Sequence, residues 1–169
     1  MRPGESPKHS RAGEKLAVIA MDADEQDRKI HEAVACRAFE IFERRGPDSM
    51  QADNWRQAES ALLRPLCVGR MSLDHTFWLS TDATPFEEGG INIWVAPKRV
   101  TICGKAHSKP GSIVPQNGGP DSHDEVMFRV VKLPVEVDPR NVTTKFNGHF
   151  LEILLKKAEP KPLYGAAAA

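Results

Sequence analysis

The stretch FRVVKLPVEVDPRNVTTKFNGHFLEILLKK, Phe128 to Lys157, decides the fold. It opens with a strand-like run that closes on Leu133-Pro134. Val135-Glu136-Val137-Asp138-Pro139 follows, and Asp-Pro favours a turn. Two β-branched and apolar runs come next, Val142 to Phe146 and Phe150 to Leu155, with Asn147-Gly148 between them. Asn-Gly readily takes the positive φ angles of a tight turn, so this dipeptide predicts a hairpin. Leu151, Ile153 and Leu155 alternate with Glu152 and Leu154, the pattern of a strand with one core face.

Upstream of this stretch the signals stay β as far as Leu66. Cys67 to Leu73 and Thr76 to Thr81 are predicted strands around Asp74-His75. Ile91-Asn92-Ile93-Trp94-Val95 alternates, Ala96-Pro97-Lys98 supplies a turn, and Val100-Thr101-Ile102-Cys103 returns. Residues 104 to 124 are rich in Gly and Pro and read as a long loop, which in a compact domain needs a role. Val126 to Leu133 then begins the deciding stretch. Strands this short and evenly spaced imply a sandwich.

Before Leu66 the period changes. Ile30, Val34, Ala38, Ile41 and Phe42 recur at spacings of three and four, the stripe of an amphipathic helix, and Gly46-Pro47 ends it. Arg44 and Arg45 sit where the negative end of the helix dipole favours cations. A second helix is predicted over Asp53 to Arg64, with Trp55, Ala58 and Leu62 on its apolar side and Pro65 as its stop. Phe39 and Phe42 are expected inside the core of this hairpin. So small a unit buries little apolar area alone, so it should dock on the β part or on a second copy. The organisation expected is a flexible tail over 1–22, a helical hairpin over 23–65, a β-sandwich over 66–158 and a second tail over 159–169.

Composition sets the outer limits. The 169 residues carry 23 Lys+Arg and 23 Asp+Glu, a formal net charge of zero, which gives no electrostatic case for nucleic acid or an anionic membrane. At 40% hydrophobic residues the chain can still build a modest core. Cys36, Cys67 and Cys103 are odd in number and widely spaced, which does not suit a disulfide framework and leads to the expectation of a reducing cytoplasm. Leu16 to Met21 follows Lys8, Arg11 and Lys15, but it is shorter than a secretory core and acidic residues follow at once, so a signal peptide is not expected. No apolar run reaches the length of a membrane span.

Residues 66 to 158 resemble the α-crystallin domain of small heat-shock proteins. The order strand, Leu-Pro, Asp-Pro turn, strand, Asn-Gly, strand is similar to the end of that domain. Gly90 to Val95 followed by Arg99 to Lys105 is similar to its paired middle strands. The hairpin departs from the family pattern, since His149 and Phe150 between Gly148 and Leu151 make one residue more than usual, which implies a bulge or a shifted register. The helical part, AxxxRAFEIFERRG from Ala33 to Gly46 with Trp55 to Glu59, resembles a short bacterial domain of unknown function. The fold expected is therefore mainly β with an α N-terminal part: an α-crystallin-like (immunoglobulin-like) sandwich preceded by an α-helical hairpin.

The resemblance implies a homodimer joined through the long loop, where Ser112-Ile113-Val114 is the exchanged strand. It also implies a peptide groove between two edge strands, lined by Ile91, Ile93 and Val95 on one and Val142, Thr144 and Phe146 on the other. Only alternate positions of a strand face one way, so about half of these six are expected in the core. The tail after Lys157, AEPKPLYGAAAA, lacks the Ile-x-Ile/Val motif that family members place in this groove, so large tail-swapped assemblies are not expected.

Enzyme chemistry finds no foothold in the chain. Cys103 and His107 with Asp121, His123 and Asp124 match no structural zinc spacing. Gly118-Gly119 lacks the flanking strand and helix of a phosphate loop. Trp55, Trp78 and Trp94 are too dispersed to stack bases. The expectation is a protein without catalytic residues, metal or cofactor. It would be an ATP-independent holdase or stress-associated protein binding partly unfolded clients, or alternatively an adaptor module for specific partners on the same sandwich.

Overall fold

The computed structural model describes residues 16–64, 68–86, 90–106 and 126–160. In chain order the elements are β1 (Leu16–Ala20), α1 (Ala23–Arg45), α2 (Gln51–Leu62), β2 (Val68–Ser72), β3 (Thr76–Asp82), β4 (Ile91–Ala96), β5 (Arg99–Lys105), β6 (Val126–Lys132), β7 (Val137–Asn147) and β8 (Phe150–Lys157). Sheet A has the order β1-β4-β5-β6 and sheet B the order β2-β3-β8-β7. All pairings are antiparallel except that of β1 with β4.

The main core lies between the sheets. Phe77 and Leu79 of β3 and Leu151, Ile153 and Leu155 of β8 meet Ile91, Ile93 and Val95 of β4, Val100 and Ile102 of β5, and Met127 and Val131 of β6. The burial of alternate residues along β3 and β8 follows from the two-residue period of a strand with one buried face. Gly104 in β5 leaves room for a close approach: a Cβ there would lie 3.0 Å from both the Gly90 carbonyl oxygen and the Phe86 ring.

The helices form the expected hairpin. Asp22 caps α1 by accepting from the Glu25 backbone N–H at 2.8 Å, and Gly46 ends it with φ 85° and its N–H on the Phe42 carbonyl at 2.9 Å. The hairpin docks on sheet A. Ile30, Val34 and Ile41 of α1 with Ala58 and Leu62 of α2 form a second core with Cys103 of β5 and Phe128 of β6. The burial that so small a hairpin lacks by itself comes from the sheet beneath it.

Four sequence expectations are corrected. The tail assigned to residues 1–22 contains β1, because the run Leu16 to Ala20 is β-capable and finds an open strand edge. Phe39 and Phe42 lie outside the hairpin core, 60% and 39% exposed, since only one stripe of α1 can face the sheet and Ile30, Val34 and Ile41 hold it. Asp138-Pro139 does not divide the strand. It sits inside β7 as an irregularity between Val137 and Val142, where Asp138 accepts from the Arg140 N–H and the Asn141 amide. The hairpin turn is moved by one residue from Asn147-Gly148: Asn147 pairs with Phe150, and Gly148 (φ 64°) with His149 makes the two-residue loop, so of the two readings of the extra residue the shifted register holds and the bulge at the tip does not.

Candidate strand-capture seam

The sandwich has a seam where edge strand β7 of sheet B lies over β4 of sheet A. Val142, Thr144 and Phe146 of β7 pair with the buried residues Leu155, Ile153 and Leu151, so they share the inward face of sheet B. They are half-buried, and Val142 and Phe146 touch the main core. Ile91, Ile93 and Val95 are also inward but fully enclosed, at 2%, 0% and 0% exposure. Of the six residues named from sequence, the β7 three form a wall that remains accessible. The β4 three are floor, with no side chain offered to a ligand. Ser112, Ile113 and Val114 lie outside the described residues.

What β4 offers at the seam is its backbone edge, and β1 holds it. The register is parallel, with Leu16 beside Ile91, Val18 beside Ile93 and Ala20 beside Val95. Those three residues of β1 therefore share the inward side, and half-buried Leu16 packs against the main core. Val18 is 38% exposed and Ile19 41% exposed. β1 is thus held mainly through its backbone, with one anchoring side chain. Past it the Met21 N–H bonds the Val95 carbonyl at 2.9 Å, and Asp22 starts α1. Sequence reasoning missed this strand. Its signal was the run of five apolar residues Leu16 to Ala20, far along the chain from the tail where a groove ligand was sought.

The segment after β1 is fixed by polar contacts. Gln26 is wholly buried; its Nε2 donates to the Met21 carbonyl at 2.8 Å, and its Oε1 accepts from the Thr101 hydroxyl at 2.6 Å. Arg99 bonds the Asp27 carboxylate at 2.6 Å, and this guanidinium holds the Asp27 carboxyl below its ordinary value. The Arg99 Nε is buried without a hydrogen-bond partner.

No metal or nucleophile site accompanies the seam. Among the described residues no three His, Cys, Asp or Glu groups are placed to hold an ion. His107, Asp121, His123 and Asp124 lie outside the described residues. Burial pushes the Cys103 thiol up to about 12, which leaves it protonated and inert at neutral pH. Among the described residues no helix is long and apolar enough to cross a membrane.

No family model matches the chain, and no curated protein does. Solved structures with a similar arrangement include a small heat-shock protein from Xylella fastidiosa at 18% identity, covering 59% of this chain and 92% of that one, TM-score 0.44. Another is the hspA of Xanthomonas axonopodis, at 18% identity, 54% and 92% coverage and TM-score 0.43. A third is the rat alpha crystallin domain, at 20% identity, 59% and 99% coverage and TM-score 0.37. Likeness of this degree carries no argument about activity. What the chain itself establishes is a mainly β fold: a two-sheet sandwich with a helical hairpin ahead of it.

Proposed function

We propose that this chain is an ATP-independent holdase of the small heat-shock type, which holds partly unfolded proteins by taking up extended apolar segments at the seam between β4 and β7. The observation that carries this reading is the present occupant of the seam. A five-residue apolar strand is held along the β4 edge with every second side chain turned toward β7. Main-chain hydrogen bonds give such an edge affinity for any extended segment, and alternate pockets select apolar side chains. In this reading Val142, Thr144 and Phe146 are the contact wall, Ile91, Ile93 and Val95 support it from beneath, and β1 yields its place to the client. The working unit proposed is a cytoplasmic homodimer, joined through the segment that holds Ser112, Ile113 and Val114. Its partners are proteins, and it uses no cofactor.

A second reading, a dedicated adaptor for one partner, is favoured by one feature. The region ahead of the sandwich is clamped to sheet A through Gln26 with Thr101 and Asp27 with Arg99, and a fixed surface suits recognition of a single protein. Light scattering of two unrelated heat-labile proteins, with the full chain at equimolar protomer, separates the two. Suppression of both supports the holdase. Failure on both overturns it and leaves the adaptor.

A further inference from the structure

Both sheets carry an outward face, and the chain shows what one of them binds. On sheet A the row Trp94, Thr101, Val130 crosses β4, β5 and β6, with Cys103 and Phe128 in the next row. On its other side Arg99 and Lys132 pair to make a cationic end. The helix α1 lies on this face. Ile30 and Val34, four residues apart on the helix, share one hydrophobic cluster with Ala58 and Leu62 of α2 and with Cys103, Phe128, Trp94 and Val130 of the sheet, and Asp27 meets Arg99 at the cationic end.

The outward face of sheet B has the same plan and no helix on it among the described residues. The row Met71, Trp78, Leu154, Thr143 crosses all four strands. The Trp78 ring extends over Gly69, where a Cβ would lie 3.5 Å from it. Met71 is 47% exposed, and Leu73 beyond β2 is 45% exposed. The adjoining row brings Lys156 beside Thr76. There Arg140, Lys156 and His75 rim a basin of about 430 Å³ that Leu154 helps to line. The carboxylate acting on these cations is Asp138, which is itself engaged by the Arg140 N–H and by Asn141. Arg140 and Lys156 carry two positive charges against the one negative charge of Asp138, so these three groups leave the rim net cationic.

We infer that the outward face of sheet B docks an amphipathic helix of a partner protein, with an aliphatic pair four residues apart and a carboxylate three residues ahead of that pair. The aliphatic pair covers Trp78 and Leu154, by analogy with Ile30 and Val34, which cluster with Trp94 and Phe128. The carboxylate meets Arg140 and Lys156, as Asp27 meets Arg99. An amphipathic helix laid on an apolar strip with charges at one end is a recurrent mode of recognition, and the cationic rim fixes its direction. This surface lies on the opposite face of sheet B from the β4–β7 seam and acts independently of it.

A labelled synthetic peptide with the sequence of residues 22–45 is a suitable probe, titrated into the full chain with fluorescence anisotropy as readout. Binding should saturate at one peptide per chain. Leu154→Asp should abolish it, and the double variant Arg140→Glu with Lys156→Glu should weaken it about tenfold at low salt. These side chains are exposed or half-buried, and an unchanged thermal midpoint checks that each variant is folded. Binding that survives both changes would mean exchange with α1 on sheet A and overturns the proposal, as does absence of saturable binding. Self-association of the chain that Leu154→Asp dissolves would make a second copy the occupant, and it overturns the proposal in the same way.

Discussion

The Thr101 hydroxyl donates to Gln26 Oε1 across 2.6 Å, and both side chains are wholly buried between β5 and α1. The same Gln26 donates to the Met21 carbonyl, so a single amide ties the end of β1, the first turn of α1 and the centre of sheet A together. Thr101→Val keeps the shape and strands the Gln26 oxygen, which should cost about 1–3 kcal/mol. Adding Gln26→Leu removes the stranded acceptor, so the double variant should lose less than the sum of the singles. Urea unfolding of the four chains measures this. Strict additivity would mean that the two groups do not depend on one another.

The Arg99–Asp27 pair predicts a modest pH dependence. Asp27 is held below its ordinary value of 3.8 chiefly by the Arg99 hydrogen bond; burial opposes this as the next-largest effect, and the Arg99 and Lys132 charges lower it further. A carboxyl lowered by folding stabilises where it is ionised in the folded state. Its contribution is complete above the ordinary value and is lost as pH falls through the lowered one. The Asp27 side chain is 64% exposed, so solvent screens the pair. Asp27→Asn should cost about 0.5 kcal/mol at neutral pH. The variant and the wild type should converge in acid. A gap that persists in acid would assign the effect to packing.

Cysteine reactivity separates surface from core. Cys36 is exposed on α1, whereas Cys103 is buried and its thiol is pushed up to about 12 by burial. Iodoacetamide at neutral pH followed by peptide mass mapping should label Cys36 readily and Cys103 only on unfolding. Early labelling of Cys103 in the native protein would show that the hairpin lifts off sheet A.

Phe39 and Val34 test which stripe of α1 is core. Phe39 is 60% exposed and Val34 is 2% exposed. Phe39→Ala should stay within about 0.5 kcal/mol of the wild type. Val34→Ala opens a cavity against Cys103 and Phe128 and should cost about 1–3 kcal/mol. Equal costs in thermal unfolding would refute this placement of the helix.

These residues also mark how far the sequence could be read. Strand identity was legible from Ile91 to Cys103, Val126 to Leu133 and Val142 to Leu155, because alternation along a strand is local, whereas Asp138-Pro139 read as a turn and lies inside β7. The face of α1 was less so. Ile30, Val34, Ile41 and Phe42 fit a single stripe, but a broad stripe on a long helix does not reveal which flank the partner covers, and Phe42 fell outside. β1 was least legible. Five apolar residues next to charges resemble many other things, and their strand character comes from a partner more than seventy residues away. The groove between β4 and β7 was an expectation from the family resemblance, and the strand β1 that lies along the β4 edge became visible only in the tertiary fold.

The weak hold on β1 yields the last prediction. Four of its five residues are exposed, and Leu16 alone packs against the main core. Its parallel ladder with β4 supplies the rest of the attachment, and a short edge strand with one buried side chain belongs to the low-stability end of a structure. Replacing Leu16 and Val18 with Glu should release it at a cost of about 1 kcal/mol, since little apolar area is lost. The hairpin should remain docked, because Gln26–Thr101 and the α1 core residues Ile30 and Val34 are untouched. Hydrogen exchange would then speed up at the β4 amides that face β1 and leave those of β5 and β8 unchanged. If the seam takes up clients, the same variant should suppress aggregation better than the wild type at equal protomer, since its edge is already open. Faster exchange at β4 without improved suppression would show that β1 is only a cover for the edge, a common protection against edge-to-edge pairing. Unchanged exchange would show that the ladder holds without its side chains.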